Sequence, residues 1–244
     1  NNAHIIMGDH MMNKPINACA LCGQCTVTCP NGYDMAEICL QARRTMVASG
    51  KMPLAPHEFA LLDMEFSNTE AFLCRPQPGY ASCRYVFFPG CQASAIAPST
   101  VEAAYEDLTK RLGGGVALML GCCGAIAEWS GRGGLYAETR QLLDRCLDGL
   151  GRPVVIAACP TCASFLRTYE GLQVRGIWEV LEEAGLPRAG VQARGQAALH
   201  DACGARGDRR TQECIRSLAR KLGYDVQETA YSGDASPCCG YGGL

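Results

Sequence analysis

Adjacent cysteines restrict what a chain can become, and this sequence carries two such pairs, Cys122-Cys123 and Cys238-Cys239, each followed by glycine. A disulfide needs Cα atoms about 4.4–6.8 Å apart in a set orientation, so neighbours in sequence cannot bridge each other without strain. The full count of 17 cysteines is odd, and they lie among long apolar segments. That is unlike the small, core-poor secreted scaffolds that disulfides hold together. Metal ligation in a reducing compartment remains, with zinc and iron–sulfur clusters as the two chemistries.

Charge and hydropathy exclude other classes. A net charge of −2, from 22 basic and 24 acidic residues, provides no field to recruit nucleic acid or an anionic membrane. No window approaches the ~18 apolar residues of a membrane span, so no direct span is expected. The sequence opens Asn1-Asn2-Ala3-His4 with no basic region or apolar core of a leader, and is expected to be cut there. A cytoplasmic location is expected, with any membrane association made through a partner subunit. At 244 residues there is enough chain for one large or two modest domains.

The pattern along the chain predicts an α/β protein. Residues 1–70 are cysteine-led and then helical: Met35, Ile38, Ala42, Met46 and Val47 recur at helical spacing between Asp34 and Ser49, and Gly50 stops the helix. Residues 71–83, with Cys74-Arg75-Pro76-Gln77-Pro78-Gly79, read as a linker. From residue 84, short apolar runs alternate with amphipathic helices, the pattern of βα units on a parallel sheet. Strands are expected at Tyr85–Phe88, Val116–Leu120, Val154–Ala157, Ala197–His200 and near Tyr224–Val226. Helices are expected at Pro98–Leu112, Leu135–Leu150, Ile177–Ala184 and Asp208–Leu222. The expected units are 84–190 and 191–244.

Cys91, Cys122, Cys159 and Cys203 follow predicted strand ends, where ligands of open parallel sheets collect, so they are expected to face one crevice. The pattern repeats. Cys91 precedes Cys122-Cys123-Gly124 much as Cys203 precedes Cys238-Cys239-Gly240, and the first copy adds Cys159-Pro160-Thr161-Cys162. The matching pair of the second copy would fall beyond Leu244, so that unit is expected to be incomplete.

Cys19-x2-Cys22-x2-Cys25-x3-Cys29-Pro30 wraps the backbone around converging thiolates and resembles the cluster motif of bacterial ferredoxins. Cys19, Cys22 and Cys25 are expected to bind one [4Fe-4S] cubane, which Cys29 either completes or leaves for a site upstream. Four-thiolate zinc sites more usually consist of two separated Cys-x2-Cys pairs. Cys91, Cys122, Cys123, Cys159 and Cys162 outnumber the four thiolates of a zinc ion or an ordinary cubane, which suggests a larger or irregular cluster. The alternative for Cys122-Cys123 is a pair of buried free thiols in a packed turn.

Phe88-Pro89-Gly90-Cys91, Cys122-Cys123-Gly124, Cys159-Pro160-Thr161-Cys162, His200-Asp201-Ala202-Cys203 and Cys238-Cys239-Gly240 together resemble the cysteine-rich CCG domain. That domain belongs to heterodisulfide reductase catalytic subunits and related iron–sulfur oxidoreductases. The preceding ferredoxin-like segment resembles the fused, subunit-D-like arrangement. The resemblance implies tandem Rossmann-like CCG units, the second truncated. It also implies a non-cubane [4Fe-4S] cluster on Cys91, Cys122, Cys123, Cys159 and Cys162, and part of another on Cys203, Cys238 and Cys239. In activity it implies reduction of a disulfide or similar small acceptor, with a flavoprotein, ferredoxin or membrane cytochrome subunit as redox partner. The other activity it allows is a non-catalytic electron-transfer subunit beside a flavin-dependent 2-hydroxyacid or glycerol 3-phosphate dehydrogenase.

The remaining candidates are weaker. Cys74 and Cys83 flank the linker and could ligate or pair, whereas Cys39, Cys146 and Cys214 fall on helices and read as core thiols. His200 could pass a proton or brace the strand end that carries Cys203. Gly131-Arg132-Gly133-Gly134 lacks the Lys-Ser/Thr ending of a phosphate loop. Trp129 and Trp178 read as packing residues.

Overall fold

The computed structural model describes residues 13–51, 57–186 and 195–240. The proposed cut start and the 191 boundary lie outside these residues. The chain is α/β, as expected, built on a five-stranded sheet with helices on both faces.

The sheet contains β1 (Leu73–Arg75), β2 (Tyr85–Phe88), β3 (Val116–Leu120), β4 (Val154–Ala157) and β5 (Val174–Gly176), in the order β1-β3-β2-β4-β5. β2 pairs in parallel with β3 (Tyr85 with Val116) and with β4 (Phe88 with Ala157). β4 pairs in parallel with β5, and β1 runs antiparallel on the β3 edge, Leu73 opposite Leu120. The chain thus moves one way from β2 to β3, then back past β2 to β4. That reversal makes the carboxyl ends of β2 and β4 a topological switch point, the position where open α/β sheets bind ligands.

Period-two alternation divides the strand side chains between the two faces. Val86, Phe88, Ala117, Met119 and Val155 pack with Leu143 and Leu147 of α8 (Gly133–Gly149) and Leu166 of α9 (Pro160–Leu166). On the other face, Phe87, Val116 and Ile156 meet Leu108 of α6 (Pro98–Arg111) and Ile177 and Val180 of α10 (Ile177–Ala184). Each such buried large side chain contributes about 1.5–3 kcal/mol.

Before the sheet come α1 (Asn13–Asn17), α2 (Gln24–Thr28), α3 (Met35–Ala48) and α4 (Glu58–Asn68). Asp34 caps α3 by accepting from the Glu37 amide at 3.0 Å, and Gly50 follows it with φ 67°. Several elements escape the sequence pattern, β1, α4 and β5 among them. Strand β1 forms inside the stretch read as a linker, because Leu73 to Arg75 finds the open β3 edge before Pro76 removes the next donor. Helix α4 carries its buried Met64 as a single anchor, too little for a periodic stripe. β5 is only three residues long.

Two short helices start at cysteine loops: α5 (Cys91–Ile96) and α7 (Ala125–Trp129). The second unit is one crossover: β6 (Gln196–Ala198), a 3₁₀ turn at Cys203–Ala205, α11 (Arg209–Lys221) and β7 (Asp225–Gln227), whose strands pair in parallel. Asp208 caps α11 from the Thr211 amide at 3.0 Å. Helix α11 packs along α10 and is tied to it by Lys221–Glu182 at 2.6 Å and Ser217–Glu182 at 2.8 Å. Among the described residues no helix is long and apolar enough to cross a membrane.

Candidate metal centre

Three loops deliver five cysteines to the carboxyl end of the sheet. After β2, Pro89-Gly90 turns the chain (Gly90 φ 85°) so that Cys91 opens α5. After β3, Gly121 leads into Cys122-Cys123, and Gly124 (φ 85°) starts α7. After β4, Cys159 immediately precedes α9 and Cys162 lies in its first turn. The thiols form a continuous chain of side-chain contacts: Cys91 to Cys122, Cys122 to Cys123, Cys123 to Cys162 and Cys162 to Cys159. Cys122, Cys123 and Cys162 are buried, and the Cys122 amide donates to Asn68 Oδ1 at 2.8 Å. A Cβ on Gly90 would lie 3.2 Å from Cys162 Sγ and 3.4 Å from Cys159 Cβ, so the close approach needs glycine.

These contacts polarise the set. The Cys159 thiol is pulled down to about 6 by its bond from Cys162, with further donation from the Cys162 and Thr161 amides. Cys123 is also held low, by bonds from Cys122 and Cys162. Cys91 and Cys162 are pushed up, first by the bonds they make to neighbouring thiols and then by burial. Buried sulfurs held partly as thiolates are soft metal donors.

Among the described residues no group of three or more His, Cys, Asp or Glu side chains converges on one ion position. Five thiols strung in a line suit a polynuclear cluster, whose irons each take their own thiolate, better than the tetrahedron of a single zinc ion.

The cysteines before and after this centre meet on a second face. Cys19 touches Cys39 of α3, and Cys25 lies close enough to act on Cys39 electrostatically. Cys29 stands apart: the Tyr33, Asn31 and Gly32 amides face its thiol and lower its proton affinity. Cys22 projects toward the second unit. There the Cys203 thiol is pushed up by burial and by the nearby Cys238, Cys22 and Cys239.

Two arginines hold this arrangement. Arg43 of α3 is fully buried and donates to three carbonyls, those of Ile16 (2.8 Å), Cys19 and Trp129 (2.7 Å). Arg206 bridges the Cys22 carbonyl (2.8 Å), the Ser236 carbonyl (2.7 Å) and the Asp234 carbonyl. Neither guanidinium is neutralised by a carboxylate in these contacts, and each lies beside cysteines. A thiolate-ligated cluster carries the negative charge that such sites favour, so the donor set and its surroundings fit one.

The two units also touch. A Cβ on Gly204, next to Cys203, would fall 2.6 Å from both the amide nitrogen and Oγ1 of Thr161, the residue between Pro160 and Cys162.

Other expectations resolve differently. Asp201, not the exposed His200, braces the strand end: it is buried, pairs with Arg216 at 2.7 and 2.8 Å and accepts from the Gly233 amide at 2.6 Å. Cys74 and Cys83 do not meet each other; Cys74 faces Cys146, and buried Cys83 accepts from the Gln77 amide at 3.4 Å. Cys214 is buried on α11, as a core thiol should be. Gly131 serves packing rather than phosphate: a Cβ there would lie 2.7 Å from the backbone of Arg43 and Arg44. Trp129 stacks edge-on against Phe165 at 6.0 Å, and Trp178 packs against the second face of the sheet. The sequence did not single out Arg43, Asn68, Gly204 and Arg206, and it marked Cys39 as a core thiol and not as a neighbour of Cys19. Only the i, i+4 spacing of Cys39 and Arg43 on one helix hinted at them.

No curated protein and no solved structure gives a significant match to this chain. Residues 85–167, which contain all five thiols of the switch-point centre, match the model of the CCG family, a cysteine-rich domain typical of iron–sulfur oxidoreductases.

Proposed function

We propose that this protein is an iron–sulfur oxidoreductase that relays electrons from a [4Fe-4S] centre on Cys19, Cys22 and Cys25 to a non-cubane [4Fe-4S] centre on Cys91, Cys122, Cys123, Cys159 and Cys162. There it reduces a disulfide or a similar small acceptor. The observation that carries the reading is the chain of five contacting thiols at the switch point, drawn from loops 68 residues apart in sequence. When bound, the clusters supply one-electron steps at a set potential. The protein's residues do the rest. Arg43 joins the Cys19 carbonyl to the Trp129 carbonyl, fixing the N-terminal loop against the CCG unit. Gly90 and Gly121 keep the loops narrow, and Asn68 orients the Cys122 amide. Overall, a disulfide takes up two electrons and two protons and leaves as two thiols, with a reduced protein partner as donor.

Anaerobically purified full-length protein should be brown, contain iron and acid-labile sulfide, and oxidise reduced viologen when disulfides are added. Zinc in place of iron would overturn the reading. Reduced viologen that keeps its blue colour across a broad disulfide panel would remove the catalytic part.

One surface favours the second reading, a non-catalytic electron-transfer subunit docked on a flavoprotein. Phe59, Leu62 and Phe66 are exposed along α4, the same helix that buries Met64 against Cys122. Stable copurification with a flavin dehydrogenase, together with no turnover of the chain alone, is what that reading requires.

A further inference from the structure

We propose that Cys39 is a ligand of the N-terminal centre, completing the set of Cys19, Cys22 and Cys25, and that Cys29 stands outside it. The inference rests on the iron–sulfur reading above.

Cys39 occupies a helix position whose spacing suggests a core thiol, yet its environment is different. It is 7% exposed, but the apolar cluster beneath α3 is formed by Ile16, Ala42 and Met46 without it. Its thiol instead contacts that of Cys19 and lies within electrostatic reach of Cys25. Cys25 sits between two candidates, since it also lines a recess of about 260 Å³ with Cys29, Tyr33, Met35 and Ile38. Cys19 decides between them: it meets Cys39, whereas the groups that bond to the Cys29 thiol are the Tyr33, Asn31 and Gly32 amides.

Charge supports the same grouping. Arg43 follows Cys39 by one helical turn, on the same face, and its fully buried guanidinium interacts with both Cys19 and Cys39. Its hydrogen bonds reach only neutral carbonyls, so the buried cation is offset only if anionic sulfur collects around it. Ligation of Cys39 supplies that charge: the thiol proton leaves to solvent as the iron–sulfur bond forms, and no electron moves. Thiolates on different irons need not converge on one point, which is why a single-ion geometry is not the test here.

The experiment compares Cys39→Ser, Cys39→Ala and Cys29→Ser in the full-length chain, reconstituted anaerobically with ferrous iron and sulfide. The readouts are iron and sulfide per chain and the EPR spectrum after dithionite reduction. Cys39→Ser is expected to lose or shift the signal of one centre and to bind less iron, while Cys29→Ser keeps both at the wild-type level. In Cys39→Ala, added 2-mercaptoethanol should restore the lost signal, an effect that a packing role would not produce. A wild-type spectrum and iron content in Cys39→Ser, loss of the centre in Cys29→Ser, or no restoration by the added thiol would overturn the inference. Iron in the wild type with an unchanged Cys39→Ser overturns this assignment alone; wild-type protein without iron and sulfide removes the iron–sulfur reading as well.

Discussion

Replacing Gly204 with alanine tests how the two units are joined. The backbone there lies outside the left-handed region, so the substitution adds only a methyl group and no strain of its own. That methyl would sit 2.6 Å from the Thr161 amide nitrogen and Oγ1 and 2.9 Å from its Cα, where ordinary contact begins near 3.4 Å. The surfaces must part by about 0.8 Å, and the obstacle is backbone in the first turn of α9, held between Cys159 and Cys162. Overpacking of this kind costs about 1–3 kcal/mol. A loss of about 2 kcal/mol raises the population of the undocked second unit roughly 30-fold. Limited proteolysis at the arginines of α11 reads that population directly when closing outpaces cleavage. Gly204→Ala should be cut roughly 30-fold faster than wild type under anaerobic conditions. Adding Thr161→Ala removes one of the three contacts and should recover only part of the loss. Wild-type cleavage rates in Gly204→Ala would refute the proposed junction.

Other expectations follow from the same contacts. Arg43→Met leaves the buried carbonyls of Ile16, Cys19 and Trp129 without their donor, and should lower stability by about 2–4 kcal/mol in denaturant titrations. The Glu182 carboxyl is held below its usual range by hydrogen bonds from Lys221 and Ser217. The stability it adds is therefore present above the unfolded value of about 4.3 and is lost as pH falls through the lower folded value. Glu182→Gln should flatten that acid limb, and the difference should be small and should shrink with added salt, as measured by thermal melts across pH. Burial beside Cys146 pushes the Cys74 thiol up to about 11, so at pH 8 its alkylation, followed by mass spectrometry, should be on the order of a hundredfold slower than that of an ordinary exposed thiol.

The parallel sheet was legible because Tyr85–Phe88, Val116–Leu120 and Val154–Ala157 are β-rich runs closed by breakers, and all three form strands with those bounds. The convergence of Cys91, Cys122 and Cys159 followed from their places just past strand ends, whereas Cys203, expected in the same crevice, lies beside Cys238, Cys22 and Cys239. Contacts between distant segments left no such trace. Nothing local marks Arg206 as the residue that reaches the Cys22 carbonyl 184 positions away, or Gly204 as the point where one unit presses on another. The sulfur neighbours of Cys39 escaped for a related reason: helical periodicity shows that a side chain faces inward, not whether the interior at that point is apolar or lined with sulfur.

If both thiol sets hold clusters as proposed, the way the thiols are distributed along the chain sets an order of maturation. Cys19, Cys22 and Cys25 lie within seven residues of sequence and can gather around iron while most of the polypeptide is still unstructured. Cys91 and Cys159 become neighbours only after β2 and β4 pair, a non-local step that is slow in parallel sheets. Iron delivered to a nascent or refolding chain should therefore reach the N-terminal run first, and a refolding time course sampled by EPR would show its signal rising before that of the CCG centre.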